Sequence, residues 1–92
     1  MKKAYPIILT PDSDGYTVYI PDFNANTQGN DLAEAIEMAR DAIGIMGIDM
    51  EDDKKALPEP SSTANFKVNE NELVSLVDVD FSEYRRKNEM KV

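Results

Sequence analysis

The spacing of apolar positions changes twice along this chain. Residues 4–10, Ala-Tyr-Pro-Ile-Ile-Leu-Thr, form a β-branched apolar run. Residues 16–20 alternate, with Tyr16, Val18 and Ile20 on one face and Thr17 and Tyr19 on the other. Period-two alternation is the mark of a half-buried strand. Asp14-Gly15 lies between the two runs and predicts a hairpin turn, because glycine takes the positive φ such turns demand. Pro6 has no N–H for a ladder, which places it at an edge or outward-facing position. Pro21-Asp22 ends the second strand, and Ala25 to Gln28 reads as a short third strand before Gly29.

From Asp31 the period lengthens to that of a helix. Leu32, Ala35, Ile36, Ala39, Ile43 and Met46 recur on one face, and that spacing predicts a helix over residues 31–46. Asp31 is the N-cap and Glu34 its capping-box partner, each able to satisfy an orphan backbone N–H of the first turn. Gly44 and Gly47 each weaken a helix by about 1 kcal/mol relative to alanine, so the helix is expected to end near Gly47. Residues 49–65 carry mixed charge and then Leu-Pro-Glu-Pro-Ser-Ser, an extended surface loop. Residues 73–79, Leu-Val-Ser-Leu-Val-Asp-Val, form a last strand, and Phe81 to Lys87 a short helical turn. The order β-β-β-α-β makes an α+β two-layer fold, one helix packed on a small mixed sheet whose other face this chain leaves uncovered. A sheet face left free in this way often binds something. Residues 1–84 are taken as one binding domain and residues 85–92 as a basic tail or the start of a linker.

Composition narrows the chemistry. The chain has neither cysteine nor histidine, so thiolate sites, imidazole bases and His/Cys metal sites are excluded by inventory. No apolar run approaches the roughly 20 residues of a membrane helix, and no apolar signal core follows Lys2 and Lys3; the cytoplasm is the expected compartment. Charge is uneven: residues 4–84 hold 17 Asp or Glu against Arg40, Lys54, Lys55 and Lys67, or 4 − 17 = −13, within a chain of net −8. Such a body repels phosphate and attracts cationic partners.

The stretches YPIILTPDSDGYTVYIPDF, TQGNDLAEAIEMARDAIG and LPEPSS, in that order, resemble the HicB family of antitoxins. The resemblance runs from about Tyr5 to Ser62, and LVSLVDVDFSEYRRK is similar to the family's segment before its C-terminal domain. It implies a partial ribonuclease-H-like fold and a partner of the HicA kind, a small basic mRNA-cleaving toxin whose active histidine the antitoxin covers. No cofactor and no metal are expected. Operator DNA would be reached only through a C-terminal domain that these residues do not contain. A homodimer or higher oligomer is expected.

Other chemistries fit this sequence less well. Asp12, Asp14, Asp78 and Asp80 could supply a two-metal nuclease centre, but a hairpin tip and a strand end need not converge, and solvated carboxylates are the simpler reading. Asp12 to Gly15 does not fit a calcium loop, since position 12 would fall on Phe23. Tyr16, Tyr19 and Phe23 could stack bases, yet they lie among aspartates. Arg85, Arg86 and Lys87 could touch phosphates, but three cations are weak evidence. No catalytic residue is expected. The expected partner contacts are Tyr19, Asp22, Glu37, Asp41, Asp49, Glu51 and Asp52. The alternative function is a non-catalytic regulatory or small-ligand-binding module of the same fold.

Overall fold

The computed structural model describes residues 1–89. Four strands and two helices follow in the order β1 (Lys2–Asp12), β2 (Gly15–Ile20), β3 (Ala25–Gly29), α1 (Leu32–Asp52), β4 (Leu73–Asp80) and α2 (Phe81–Glu89). Single turns of 3-10 helix occupy Pro21–Phe23 and Thr63–Asn65. The sheet order is β3-β2-β1-β4, and α1 lies across one face.

The hairpin forms one residue earlier than the Asp14-Gly15 signal implies. Asp12 pairs with Gly15, so Ser13 and Asp14 make the turn, and the Asp14 N–H donates to Asp12 Oδ1 at 2.9 Å. Gly15 has φ +147°, and a Cβ there would lie 2.3 Å from the Gly29 carbonyl. Glycine is therefore required by both conformation and space.

Every strand pair is antiparallel, so the sheet is not mixed. The reason is the long segment 53–72. A short return from α1 would bring β4 in parallel to β1. Instead the chain travels back along the sheet, and Leu73 enters opposite Leu9 while Asp80 ends opposite Lys2. This places β1 in the interior of the sheet, where Pro6 sits opposite Leu76. Of the two positions expected for Pro6, the edge does not hold for the strand, but its side chain does stand on the sheet face away from the core residues Tyr5 and Ile7. The ladder to β2 runs only from Ile8 to Asp12, so on that flank residue 6 stands beyond the paired segment, where a missing N–H breaks no bond.

The core is Tyr5, Ile7 and Leu9 of β1, Val18 and Ile20 of β2, Val77 and Val79 of β4, Ala35, Ala39 and Ile43 of α1, and Phe81 of α2. The alternation read for residues 16–20 holds, with Val18 and Ile20 buried and Thr17 and Tyr19 exposed. On the helix, Ile36 packs against the core, but Leu32 is exposed: as the first helical residue it stands at the rim. Met46 is half-buried.

The largest departure is the length of α1. It passes through Gly44 and Gly47 and ends only at Asp52. Tertiary contact overrides propensity here. The Tyr84 ring lies where a Cβ on Gly44 would be, and Phe81 where one on Gly47 would be. The two glycines are the seats of α2. Termination comes where Lys54 takes φ 60° and the Lys55 N–H donates to the Met50 carbonyl, a left-handed helix end.

The opposite sheet face is not bare. Pro6 is fully buried there, and Ile8 and Val74 are half-buried. Thr10 Oγ1 donates to Glu72 at 2.6 Å, tying the returning segment to β1. Leu76 at 54% and Tyr19 at 38% exposure are the apolar surface left open.

Candidate partner-binding site

Asp31 caps α1 as its sequence position implies, accepting from the Glu34 N–H at 2.8 Å. Glu34 returns the bond one residue further back, to the Asn30 N–H at 2.9 Å. Carboxylates held at the positive end of the helix dipole are stabilised there. The seven residues expected to meet a partner do not gather into one patch.

Four of the acidic candidates are already engaged. Glu37 pairs with Arg40 one turn along the helix, and the same guanidinium reaches Asp78, with Nε to its carbonyl and Nη2 to its carboxylate. Asp41 accepts from the Tyr84 hydroxyl at 3.0 Å. Glu51 and Asp52 grip Arg85 from the end of α1, at 3.3 and 3.0 Å. Burial first, and Asp41 second, push the Tyr84 hydroxyl up to about 12. Arg85, assigned by sequence to the start of a tail, thus sits within α2 and fastens it to α1. Arg86 and Lys87 are also helical, and residues 90–92 lie outside the described residues.

Asp22 is engaged differently. Its carboxylate accepts from the Ser61 N–H at 2.9 Å and from the Ser61 hydroxyl, so it pins the returning segment to the Pro21–Phe23 turn. The Tyr5 hydroxyl donates to the Pro58 carbonyl at 2.8 Å, and burial with the nearby charges of Asp22 and Glu59 raises it to about 12. Tyr5 also meets Phe23 edge-on, with ring centroids 4.9 Å apart. Tyr19 stands on the outer sheet face, its hydroxyl 3.3 Å from Asn24 Oδ1. Among the described residues, the exposed Asp49 carboxylate alone of the seven has no hydrogen-bond or ion-pair partner.

Asp49 borders a groove of about 420 Å³ between the end of α1, the Pro21–Phe23 turn and the start of the returning segment. Phe23, Met46, Met50, Ala56 and Pro58 line it together with Asp22 and Asp49. Sequence reading missed this site because it ended the helix near Gly47. With α1 carried to Asp52, Met46 and Met50 fall one turn apart on one face. The helical spacing of those two methionines is the signal that could have shown it.

The carboxylates weighed for a nuclease centre are occupied in the fold. Arg40 foremost, then its own backbone N–H and Lys2, hold the Asp78 carboxyl below the usual range. Asp80 accepts from the Ser82 and Glu83 N–H groups at 3.1 and 3.2 Å, capping α2. The backbone bond from Glu83 is the first cause of its lowered carboxyl. Asp12 and Asp14 are at the far end of the sheet, since Asp12 closes the hairpin and Asp80 pairs with Lys2. Among the described residues, no three carboxylates converge to hold a metal ion, and no helix is long and apolar enough to cross a membrane.

Two toxin–antitoxin complexes are among the solved structures similar to this chain. A chain of a toxin–antitoxin complex from Streptococcus pneumoniae is similar at 28% identity and a TM-score of 0.82, over 91% of this chain and 73% of that one. A chain of a HicA3 and HicB3 toxin–antitoxin complex is similar at 21% identity and a TM-score of 0.68, over 85% of this chain and 99% of that one. The second likeness is one of fold. No curated protein matches. The family described as the HicB_like antitoxin of bacterial toxin–antitoxin system matches residues 5–92. With the antiparallel sheet, the capped helix and the Pro-Glu-Pro-Ser segment in their places, this chain belongs to the HicB-like antitoxin family.

Proposed function

We propose that this antitoxin chain neutralises a small basic RNA-cleaving toxin of the HicA kind, and that it does so by occupancy, laying an acidic surface where the toxin grips RNA. The observation that carries this reading is the charge balance of residues 4–84, 17 acidic side chains against four basic ones. Arg40 is already neutralised by Glu37 and Asp78. A protein that binds RNA displays cations where phosphates go, and an acidic protein surface can take that place. The candidate contacts are Tyr19, Asp22, Glu37, Asp41, Asp49, Glu51 and Asp52, which stand on more than one face of the fold: Tyr19 on the outer sheet face, Asp41, Glu51 and Asp52 beside α2, and Asp22 and Asp49 at one groove. The chain performs no reaction of its own, and the pair acts in the cytoplasm.

The test is to mix this chain with the product of the adjacent small basic reading frame and follow RNA cleavage. Cleavage should stop at an equimolar ratio, and this chain alone should leave RNA intact with magnesium or manganese present. A complex that cleaves RNA at the full rate overturns the reading. So does nuclease activity of this chain that is lost in Asp78→Asn.

A further inference from the structure

The groove beside Asp49 differs from the rest of the acidic surface in three ways. It is concave, its floor is apolar, and its rim carboxylate is uncommitted. The floor combines Phe23 with Met46 and Met50, and Pro58 forms the far wall. Methionine side chains adapt to the shape of what enters. All four of these residues are half-buried, so the groove is open to solvent.

Its walls are held in place without a ligand. Ser61 is fixed to Asp22 by two hydrogen bonds, Pro58 to Tyr5 by one, and Glu59 to Lys3 by an ion pair at 3.3 Å. Phe23 is braced edge-on by Tyr5, which is itself fully buried. Preformed walls spare a ligand the cost of ordering them. Two aspartates and no cation line the groove. That charge pattern selects against an anionic ligand and favours a cation beside the apolar group.

Resting on the antitoxin reading above, we infer that this groove seats a large apolar side chain of the basic toxin, and that a lysine or arginine next to that side chain pairs with Asp49. This is the anchoring point of the complex. The committed carboxylates of Glu37, Asp41, Glu51 and Asp52 steer the approach, while the groove sets how long the partner stays. An apolar anchor desolvated inside a charged rim is the usual form of an interface hot spot.

The experiment measures association and dissociation of the parent chain and three variants with the same toxin, made catalytically inactive. Parent binding is read first. If the parent fails to bind the toxin, the antitoxin reading itself falls and the groove assignment falls with it. If the parent binds, Met50→Glu should weaken the complex about a hundredfold, mostly through faster dissociation. Asp49→Asn should weaken it about tenfold. Glu70→Gln, an equal loss of charge outside the groove, should change it by less than about threefold. Hydrogen exchange on the parent complex should show new protection at residues 22–24 and 46–58, and this reading stands even if Met50→Glu fails to fold. A parent that binds while Asp49→Asn binds equally tightly and residues 46–58 gain no protection overturns the groove assignment and leaves the antitoxin reading intact. Self-association of the parent that Asp49→Asn or Met50→Glu abolishes also overturns it, because the occupant is then a second copy of this chain.

Discussion

At Gly47 a methyl group would fall 2.2 Å from Phe81 Cε1, and Phe81 is only 1% exposed. The ring has nowhere to go. In a solvated helix, glycine to alanine stabilises by about 1 kcal/mol. Here overpacking costs typically about 1–3 kcal/mol, so Gly47→Ala is expected to lower stability. The check is a reduced urea midpoint at unchanged m-value, and a gain in stability would show that α2 does not sit on this glycine. Tyr5 and Tyr84 make a second test at this scale. Both hydroxyls are pushed up to about 12, burial being the first cause in each. An unfolded tyrosine releases its proton near 10, so the folded state holds the extra protons between pH 10 and 12. Stability is therefore full below pH 10 and is lost as pH rises toward 12. Tyr5→Phe should remove part of that alkaline decline, read from denaturant midpoints at pH 9 and 11, while losing the Pro58 hydrogen bond at every pH.

At the scale of elements, α2 is fastened at its start and along its side. Asp80 caps its start, Phe81 and Tyr84 fill the glycine seats of α1, and Arg85 reaches Glu51 and Asp52. Removing the cap exposes backbone donors of the first turn. Asp80→Ala is expected to speed hydrogen exchange at Ser82 and Glu83 before it affects the sheet. The Asp80 and Asp78 carboxyls are held below their usual values, as is Glu72 by the Thr10 hydroxyl. Their stabilisation is present above the ordinary carboxylate range and is lost as pH falls through the lowered values. Fraying of α2 should therefore lead acid unfolding, visible as early loss of its amide protection below about pH 4. The returning segment 53–72 belongs to the same scale: its length, more than its composition, makes β4 antiparallel to β1.

For the whole molecule, net charge sets how a partner arrives. The Debye length falls from about 10 Å at 0.1 M salt to about 3 Å at 1 M, so association with a basic toxin should slow steeply with salt. Dissociation, governed by apolar burial, should change far less. Stopped-flow rates across a salt series decide this. Equal slopes for the two rates would mean that charge alone holds the complex.

The sequence by itself determined what local chemistry controls. The hairpin, the cap at Asp31, the helical face through Ala35, Ala39 and Ile43, and the last strand each rest on periodicity or on a backbone group that one nearby side chain satisfies. The absence of histidine and cysteine, and the family resemblance, were equally open to reading. Only the tertiary structure decided the rest. Whether Gly44 and Gly47 end a helix or seat another depends on aromatic rings at Phe81 and Tyr84, more than 30 residues away in the chain. The direction of β4 depends on the path of a segment with no regular period. Which carboxylates are committed and which, like Asp49, remain open depends on partners such as Arg85 and Tyr84 that only folding brings near. Periodicity reports the face a residue presents; it does not report what meets that face.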